Sequence, residues 1–284
     1  MIRIVTDSSC DLPERMLEEY GITVVPLVVR FGVEEYLDGE LSLDEFWQKC
    51  ETTGPPSTSQ PSAGAFEAAF ERLVDAGHEV LCITITQRHS GTFDTARLAA
   101  RRFGERVHVF DSASLSVGVG WQALLAARAS QAGQSMAAII ERLRDVRDRM
   151  RVFIVLETLE NLRRGGRADA FIRVIERMAR VLHVKPVINV VDGQLKLLGV
   201  TRSFTAGLRR AFSAVEACAP LEHLAVFSTR RHALAEEWAE RLARGTGFPP
   251  EQVWVGETGA ALASHGGAGL IGVLALPTAD SAGC

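Results

Sequence analysis

Short runs of β-branched residues alternate with helix-length amphipathic segments through the first half of the chain. The runs lie at residues 2–6, 22–29, 80–86, 107–110 and 151–156. Strands separated by helices favour βαβ units, in which the strands are parallel and helices cover both faces of the sheet. The pattern therefore predicts an N-terminal parallel-sheet α/β domain over residues 1–156.

The pattern changes after residue 156. The segment VINVVDGQLKLLGV places Asp192 and Gly193 between two strand-like runs, which is a strong β-hairpin signal. Further strands are predicted at 223–229, 253–257 and 271–276, with helices at 203–218 and 231–244. We therefore predict a C-terminal α+β domain over residues 157–284, and the fold class is a two-domain α/β protein.

Charge and motif content exclude several classes of protein. The formal net charge is −4, and the basic residues are interspersed with acidic ones, so nucleic acid is not an expected partner. No GxxxxGK[ST] phosphate-binding loop is present. The segment GVGWQA (118–123) matches the dinucleotide pattern GxGxxA, but it lies within an apolar helix pattern far from its strand, which favours a structural helix.

Cysteine usage and hydropathy indicate the compartment. The five cysteines are odd in number and widely spaced, without CxxC or Cys/His ligand spacing, which favours a reducing compartment and no bound metal. No leader pattern opens the chain, and no apolar run approaches the ~20 residues of a membrane span. We expect a soluble cytoplasmic protein without a cofactor.

Hydroxyl groups are concentrated at the predicted strand ends. The segments are TDSS (6–9), TQRHSGT (86–92) and FDSASLS (110–116), joined by STSQPS (57–62), which prolines hold extended. Ligands of open α/β sheets bind beyond the carboxyl ends of the strands, where helix N-termini favour an anion. Ser and Thr are also common helix N-caps, and we expect Ser62 and Asp11 to serve only as caps. A pocket of neutral donors suits a single carboxylate or phosphate.

Seven motifs together resemble the DegV family of bacterial fatty-acid-binding proteins. In chain order they are TDSSCDLP, TSQPS, SGT, VFDS, LENLRRGGR, KPVINVVDG and HGGAG. The resemblance runs from about Arg3 to Leu276. It implies two domains with a ligand tunnel between them that holds one long-chain fatty acid, and it implies no independent catalysis.

The resemblance also assigns residues and a partner. It implies that Thr58 and Ser90 bind the ligand carboxylate, and that the bound acid is presented to a separate ATP-dependent fatty acid kinase, which forms an acyl phosphate for phospholipid synthesis. Transient contact with a membrane surface is compatible with such a carrier. The remaining implied positions are a supporting loop of Ser59, Gln60, Gly91 and Thr92, and a ligand mouth or kinase-facing set of Arg167, Arg202, His265 and Gly266.

Two departures from the family pattern concern the kinase rather than the carboxylate. Ala268 stands where the family has a proline, and the segment 199–208 keeps only Arg202 of the usual basic run.

Two other functions remain open from the residues. One is a serine acyl hydrolase in which Ser90 is the nucleophile and His89 the base, although no GxSxG motif is present. The other is a regulatory module that binds a small anion.

Overall fold

The structure is a computed structural model that describes residues 1–166, 172, 173, 175 and 184–281. It divides into two compact units. Unit 1 contains Met1–Asp148 and also Gly259–Leu262, whereas unit 2 contains Arg149–Thr258 and the residues from Ala263 onward. The first boundary thus precedes the strand run at 151–156 that the sequence analysis assigned to the N-terminal domain, and the short segment 259–262 belongs to unit 1.

Unit 1 contains a parallel sheet and a small antiparallel sheet. The parallel sheet has the order β2-β1-β6-β7, with β1 at Ile2–Asp7, β2 at Thr23–Val25, β6 at Glu79–Thr84 and β7 at Val107–Asp111. The antiparallel sheet has the order β4-β3-β5, with β3 at Val28–Phe31, β4 at Glu34–Leu37 and β5 at Ser57–Ser59. The helices of this part of the chain are α1 Glu14–Tyr20, α2 Leu43–Thr52, α3 Ala63–Asp75, α4 Thr92–Ala100, α5 Val117–Gln131 and α6 Met136–Arg149.

The predicted strand at 22–29 is two strands in two sheets. β2 pairs with β1 in the parallel sheet, and β3 pairs with β4 and β5 in the antiparallel one. Pro26 lies between β2 and β3. A proline has no N–H for the ladder, so it marks a natural end for a strand.

One face of the parallel sheet packs on helices α3 and α4. Alternate residues of the strands, including Val5, Val80 and Cys82, form a buried cluster with Phe66, Phe70, Ala96 and Ala99. Helix α5 packs against β1 and β6, and its residues are buried nearly all round. A Cβ atom at Gly120 of α5 would collide with the backbone oxygen of Cys10. Gly120 therefore allows the close packing of α5, and GVGWQA lies within an apolar helix, as predicted.

Unit 2 is built on a six-stranded mixed sheet of order β10-β9-β8-β13-β11-β12. The strands are β8 Arg151–Val155, β9 Lys185–Val191, β10 Gln194–Thr201, β11 Leu221–Ser228, β12 Trp254–Glu257 and β13 Ile271–Pro277. The described helices are α7 Glu160–Gly165, α8 Phe204–Glu216, α9 His232–Thr246 and α10 Ala260–Gly266, whose first turn belongs to unit 1. Helices α8 and α9 cover a core that includes Phe153, Val226, Trp238 and Val273.

Most predicted elements after residue 156 are confirmed. Asp192 and Gly193 form the turn of the β9–β10 hairpin, both with positive φ (50° and 74°), as a two-residue hairpin turn requires. The prediction for β8 was wrong in its pairing, because β8 is antiparallel to both β9 and β13 instead of joining the parallel sheet. The predicted fold class, a mixed α/β protein with a parallel sheet and a separate second domain, is confirmed.

Candidate functional site

The carboxyl ends of the parallel strands in unit 1 carry a set of buried polar side chains. Strands β1, β6 and β7 are neighbours, so their ends lie side by side, as the sequence analysis expected. Thr84 lies directly opposite Asp111 in the register of β6 and β7. The fully or almost fully buried members of this set are Thr6, Asp7, Thr84, Thr86, Ser112 and Ser114.

Ser90 lies in the loop between β6 and α4. Its Oγ atom is 2.7 Å from Thr92 Oγ1 and accepts the backbone N–H of Thr92 at 3.3 Å. Helix α4 begins at Thr92, and its N-cap residue, Gly91, has no side chain to cap the free amides of the first turn. Thr92 is fully buried, whereas Ser90 is half-buried. A half-buried hydroxyl beside an open helix N-terminus is a suitable place for an anion.

The segment that contains Thr58 adjoins this loop. Thr58 lies in β5 opposite Val29 of β3. Two residues further on, the side chain of Gln60 covers Gly91 so closely that a Cβ atom there would lie 3.0 Å from Gln60 Nε2. The structure thus brings the supporting residues predicted before α3 and before α4 into contact. A larger residue than glycine at position 91 would displace Gln60.

The segment then enters α3 through a confirmed cap. Ser62 Oγ accepts the backbone N–H of Ala65 at 3.1 Å. Pro61 is buried, and it fixes the chain just before the cap. The predicted role of Ser62 as an N-cap is therefore confirmed.

Three aspartates near the ends of these strands were not identified as a group from the sequence: Asp7 is fully buried, whereas Asp11 and Asp38 are half-buried. Asp7 accepts the backbone amides of Ser9 at 3.0 Å and Ile85 at 2.8 Å. Asp38 accepts Ser8 Oγ at 2.6 Å and the backbone amide of Ala261 at 3.1 Å. Ile85 begins the loop that leads to Ser90, so Asp7 ties that loop to the end of β1.

Asp11 was expected to be a helix N-cap, and that expectation was wrong. The N-cap of α1 is Pro13, and Asp11 instead accepts Ser116 Oγ at 2.5 Å and the backbone amide of Gly259 at 2.8 Å. Burial raises the pKa of Asp11 to about 8, against the opposing effect of these two hydrogen bonds. Burial likewise raises the pKa of Asp7 to about 6.

The predicted mouth residues that the structure describes lie at one end of the strands in the sheet of unit 2. Strands β8, β10, β11 and β12 run in one direction and β9 and β13 in the other, so the end of β10 and the start of β13 lie at the same edge. Arg202 follows β10 and is exposed. His265 and Gly266 end α10 before β13, and the His265 ring lies against Gly165, where a Cβ atom would be 2.5 Å from its Nδ1. Arg167 lies outside the described residues.

The pair required for a serine hydrolase is not formed. Within the described part of the chain, Ser90 Oγ has hydrogen-bond partners only in Thr92. A nucleophile and its base must lie within hydrogen-bond reach of each other. The geometry of Ser90 therefore gives no support to His89 as its base.

The described residues also bear on metal binding and on membrane insertion. Among the described residues, no group of three or more His, Cys, Asp or Glu side chains is arranged to hold a metal ion, so Asp7, Asp11 and Asp38 do not form such a group. None of the helices that the structure describes has the length and apolar character needed to cross a membrane.

Comparisons with known proteins assign a family to this chain, and the family model and the solved structures match almost its whole length. A family model described as "Uncharacterised protein, DegV family" matches residues 1–278. A DegV domain-containing protein of Deinococcus radiodurans is 36% identical over 203 residues, which is 71% of each chain. The fatty-acid-binding DegV family protein of Thermus thermophilus is 32% identical with a TM-score of 0.86, covering 97% of this chain and 99% of its own. DegV of Bacillus subtilis, a fatty acid binding protein, is 27% identical with a TM-score of 0.86 and the same coverage.

Proposed function

Because this chain belongs to the DegV family, as its motifs predicted, we propose that it is a carrier that binds one long-chain fatty acid. The relatives from Thermus thermophilus and Bacillus subtilis bind fatty acids, and both match this chain over nearly its full length. The ligand carboxylate lies at Thr58 and Ser90 in this proposal, with Ser59, Gln60, Gly91 and Thr92 supporting them. The tunnel expected between the two domains stays a prediction.

The observation that carries the proposal is the half-buried hydroxyl of Ser90 at the open N-terminus of α4. This end of the helix offers neutral donors and the positive end of the helix dipole to a single negative charge. Asp94 is in the first turn of the same helix and Arg97 in its last, and they pair with each other at 3.7 Å. A carboxylate suits such a site better than a polyphosphate, which requires fixed cations.

The acyl tail supplies most of the affinity. Burial of a methylene contributes about 0.8 kcal/mol, so roughly fifteen methylenes contribute on the order of 12 kcal/mol before the entropy of association is subtracted. A hydrogen bond to a charged group contributes only about 1.5–3 kcal/mol net. The hydroxyls therefore orient the headgroup and make its burial tolerable, while the tail holds the ligand.

The second part of the proposal is that the bound acid is presented to a separate ATP-dependent fatty acid kinase. A carboxylate oxygen attacks the γ-phosphorus of ATP, the bond from that phosphorus to the β–γ bridging oxygen breaks, and ADP leaves the acyl phosphate behind. Neutral donors favour this reaction, because they leave the carboxylate a better nucleophile than a tight pair with a cation would. Arg167, Arg202 and His265 stabilise the charge on the transferring phosphoryl group, and Gly266 lets the loop approach.

Native mass spectrometry of freshly purified protein tests the carrier function. We expect one intact fatty acid per chain, released unchanged on denaturation.

The double variant Thr58→Val, Ser90→Ala should lose at least tenfold in palmitate affinity, whereas Ser213→Ala, at an exposed serine of α8, should bind as the wild type does. Equal affinity of all three proteins would refute the headgroup assignment. A different bound anion would support the regulatory module, and a covalent adduct of Ser90 with a fluorophosphonate would support the hydrolase.

Phosphorylation of the bound acid tests the transfer role. The kinase of the same organism and [γ-³²P]ATP are mixed with palmitate-loaded protein, and acyl phosphate is trapped with hydroxylamine. Arg167→Ala should reduce the rate at least tenfold without changing palmitate affinity. Arg209→Ala, an exposed arginine of α8, is the matched control and should not alter the rate. An unchanged rate for Arg167→Ala would remove that residue from the mechanism.

A further inference from the structure

The hydroxyls of Ser90 and Thr92 form a hydrogen-bonded pair in which either oxygen could be the donor by distance alone, and the burial of Thr92 decides between the two directions. The two oxygen atoms are 2.7 Å apart, and Ser90 Oγ also accepts the backbone N–H of Thr92. Thr92 is 0% exposed, so its hydroxyl cannot turn to solvent. Within the described part of the chain, Thr92 Oγ1 has no hydrogen-bond partner other than Ser90.

Only one of the two possible directions satisfies every buried donor. If Ser90 donated to Thr92, the Thr92 O–H would be buried without an acceptor, which is unfavourable. If Thr92 donates to Ser90, its hydrogen is satisfied. A serine oxygen has one hydrogen and two lone pairs, and both lone pairs are then filled by the N–H and O–H of Thr92. The Ser90 O–H is left to point away from Thr92, toward the half-exposed side of the loop.

We infer that Thr92 determines headgroup specificity by fixing Ser90 as a hydrogen-bond donor that offers no lone pair to the ligand. A headgroup at Ser90 must then accept a hydrogen bond and gains nothing from donating one. The ionised carboxylate fits this requirement best. A protonated acid accepts more weakly through its carbonyl oxygen and finds no acceptor for its O–H at Ser90, and a protonated amine has no lone pair to accept with. Thr92 is a positioning residue, since it acts on the ligand only through Ser90.

This inference rests on the proposed function and adds a chemical reason to it. The ionised acid is the nucleophile that a phosphoryl acceptor must supply, and a site that only donates selects this form before the kinase acts. Hydrogen bonds along a chain of hydroxyls also polarise one another, so the Thr92 donor strengthens the one that Ser90 makes. A lone serine in the same place would be free to turn and accept a proton from a neutral acid.

The readout is the apparent pKa of bound palmitate labelled with ¹³C at the carboxyl carbon, followed by its NMR shift against pH. The variants are Thr92→Val, which keeps the shape and the backbone N–H but removes the O–H, and Thr92→Ser, which keeps the O–H. Other charged or titratable groups lie on the loop, on α4 and at the neighbouring strand ends. They are Arg88, His89, Asp94, Arg97, Asp111 and the buried Asp7. They are identical in all the proteins compared, so a difference isolates Thr92.

We expect the apparent pKa of palmitate to be raised by about one pH unit in Thr92→Val and to match the wild type in Thr92→Ser. The ratio of palmitate affinity to hexadecylamine affinity should fall about tenfold in Thr92→Val for the same reason. Equal titrations of the wild type and Thr92→Val, or an equal shift in both variants, would overturn the inference.

If Thr92→Val does not fold, Thr92→Cys takes its place: its weak S–H donor should give a shift of the same sign, and no shift would overturn the inference. A wild type that takes up no palmitate would refute the proposed function as well, whereas binding with unchanged titration refutes only the role of Thr92.

Discussion

Asp11 and Gly259 are 248 residues apart in the chain, yet Asp11 Oδ1 accepts the Gly259 backbone N–H at 2.8 Å within unit 1. The other oxygen of Asp11 accepts Ser116 Oγ. No cation pairs with Asp11 among the described residues, and Asp7 and Asp38 are close enough to add repulsion. This carboxyl group is therefore more favourably protonated in the folded protein than in the unfolded one.

The first prediction follows from the pKa of Asp11, which rises from 3.8 to about 8 on folding. A raised pKa contributes stability that is fully present below about pH 4 and is lost as the pH rises through about 8. The free energy of unfolding should fall by several kcal/mol between pH 5 and pH 9, as measured by urea denaturation. Asp7, with a pKa of about 6, contributes in the same direction over the lower part of this range.

Asp11→Asn should remove much of this pH dependence. An asparagine can accept the Gly259 amide with its oxygen, and its NH2 group can donate to Ser116 Oγ once the Ser116 hydroxyl, which donates to Asp11 in the wild type, turns away. The variant should be more stable than the wild type at pH 9. Asp75→Asn, at an exposed aspartate that ends α3, should follow the wild-type curve. Parallel pH curves for Asp11→Asn and the wild type would contradict the assignment.

The second prediction concerns two helical glycines. In α5, a Cβ atom at Gly120 would collide with the Cys10 backbone oxygen and lie 3.0 Å from Leu12 Cγ, so Gly120→Ala should destabilise the protein by about 2 kcal/mol or more. Gly64 is exposed in α3, and the atom nearest its Cβ position is 3.9 Å away. Gly64→Ala should stabilise the protein by about 0.5–1 kcal/mol through helix propensity. Thermal denaturation of the pair measures both effects, and a stabilised Gly120→Ala would contradict the packing described for α5.

The third prediction concerns Thr84 at the end of β6. Its Oγ1 atom is fully buried and has no hydrogen-bond partner among the described residues. Thr84→Val should therefore stabilise the ligand-free protein by about 1 kcal/mol. The matched control is Thr6→Val in β1, which removes a buried hydroxyl that donates to the backbone carbonyl oxygen of Asp7 at 3.4 Å, so stability should fall. If both substitutions were equally destabilising in chemical denaturation, Thr84 would have a partner after all.

The fourth prediction concerns the imidazole of His265. A Cβ atom at Gly165 would lie 2.5 Å from His265 Nδ1, so Gly165→Ala should displace the ring. Under the proposed transfer role, acyl phosphate formation by the kinase should slow several-fold while palmitate affinity stays unchanged. The ring signals of His265 in NMR spectra report the displacement directly. A displaced ring with an unchanged rate would separate His265 from phosphoryl transfer.

The elements that the sequence predicted correctly have local signals. The Asp192–Gly193 hairpin, the cap at Ser62 and the apolar helix around Gly120 each follow from residues a few positions apart. The pairing of β8 was predicted wrongly because a strand's own residues do not show which neighbours it will have. Asp11 was misread for the same reason, since its partners are Ser116 and Gly259, far along the chain.

The candidate site likewise has features that the sequence predicted and features that it did not. The hydroxyls at the strand ends were visible because consecutive parallel strands place their carboxyl ends at one edge. The contact of Gln60 with Gly91 depends on how β5 joins β3, and no local pattern indicates that a three-residue strand forms there. No sequence motif around Thr92 indicates whether its hydroxyl donates a hydrogen bond to Ser90 or caps the helix. Its importance comes from complete burial and from one distance to Ser90.

Thr58 belongs to the small antiparallel sheet, whereas Ser90 follows a strand of the parallel one. In the proposed carrier, the headgroup site is complete only when both sheets are folded, because each sheet holds one of the two hydroxyls. Release of bound fatty acid would therefore report the unfolding of either sheet.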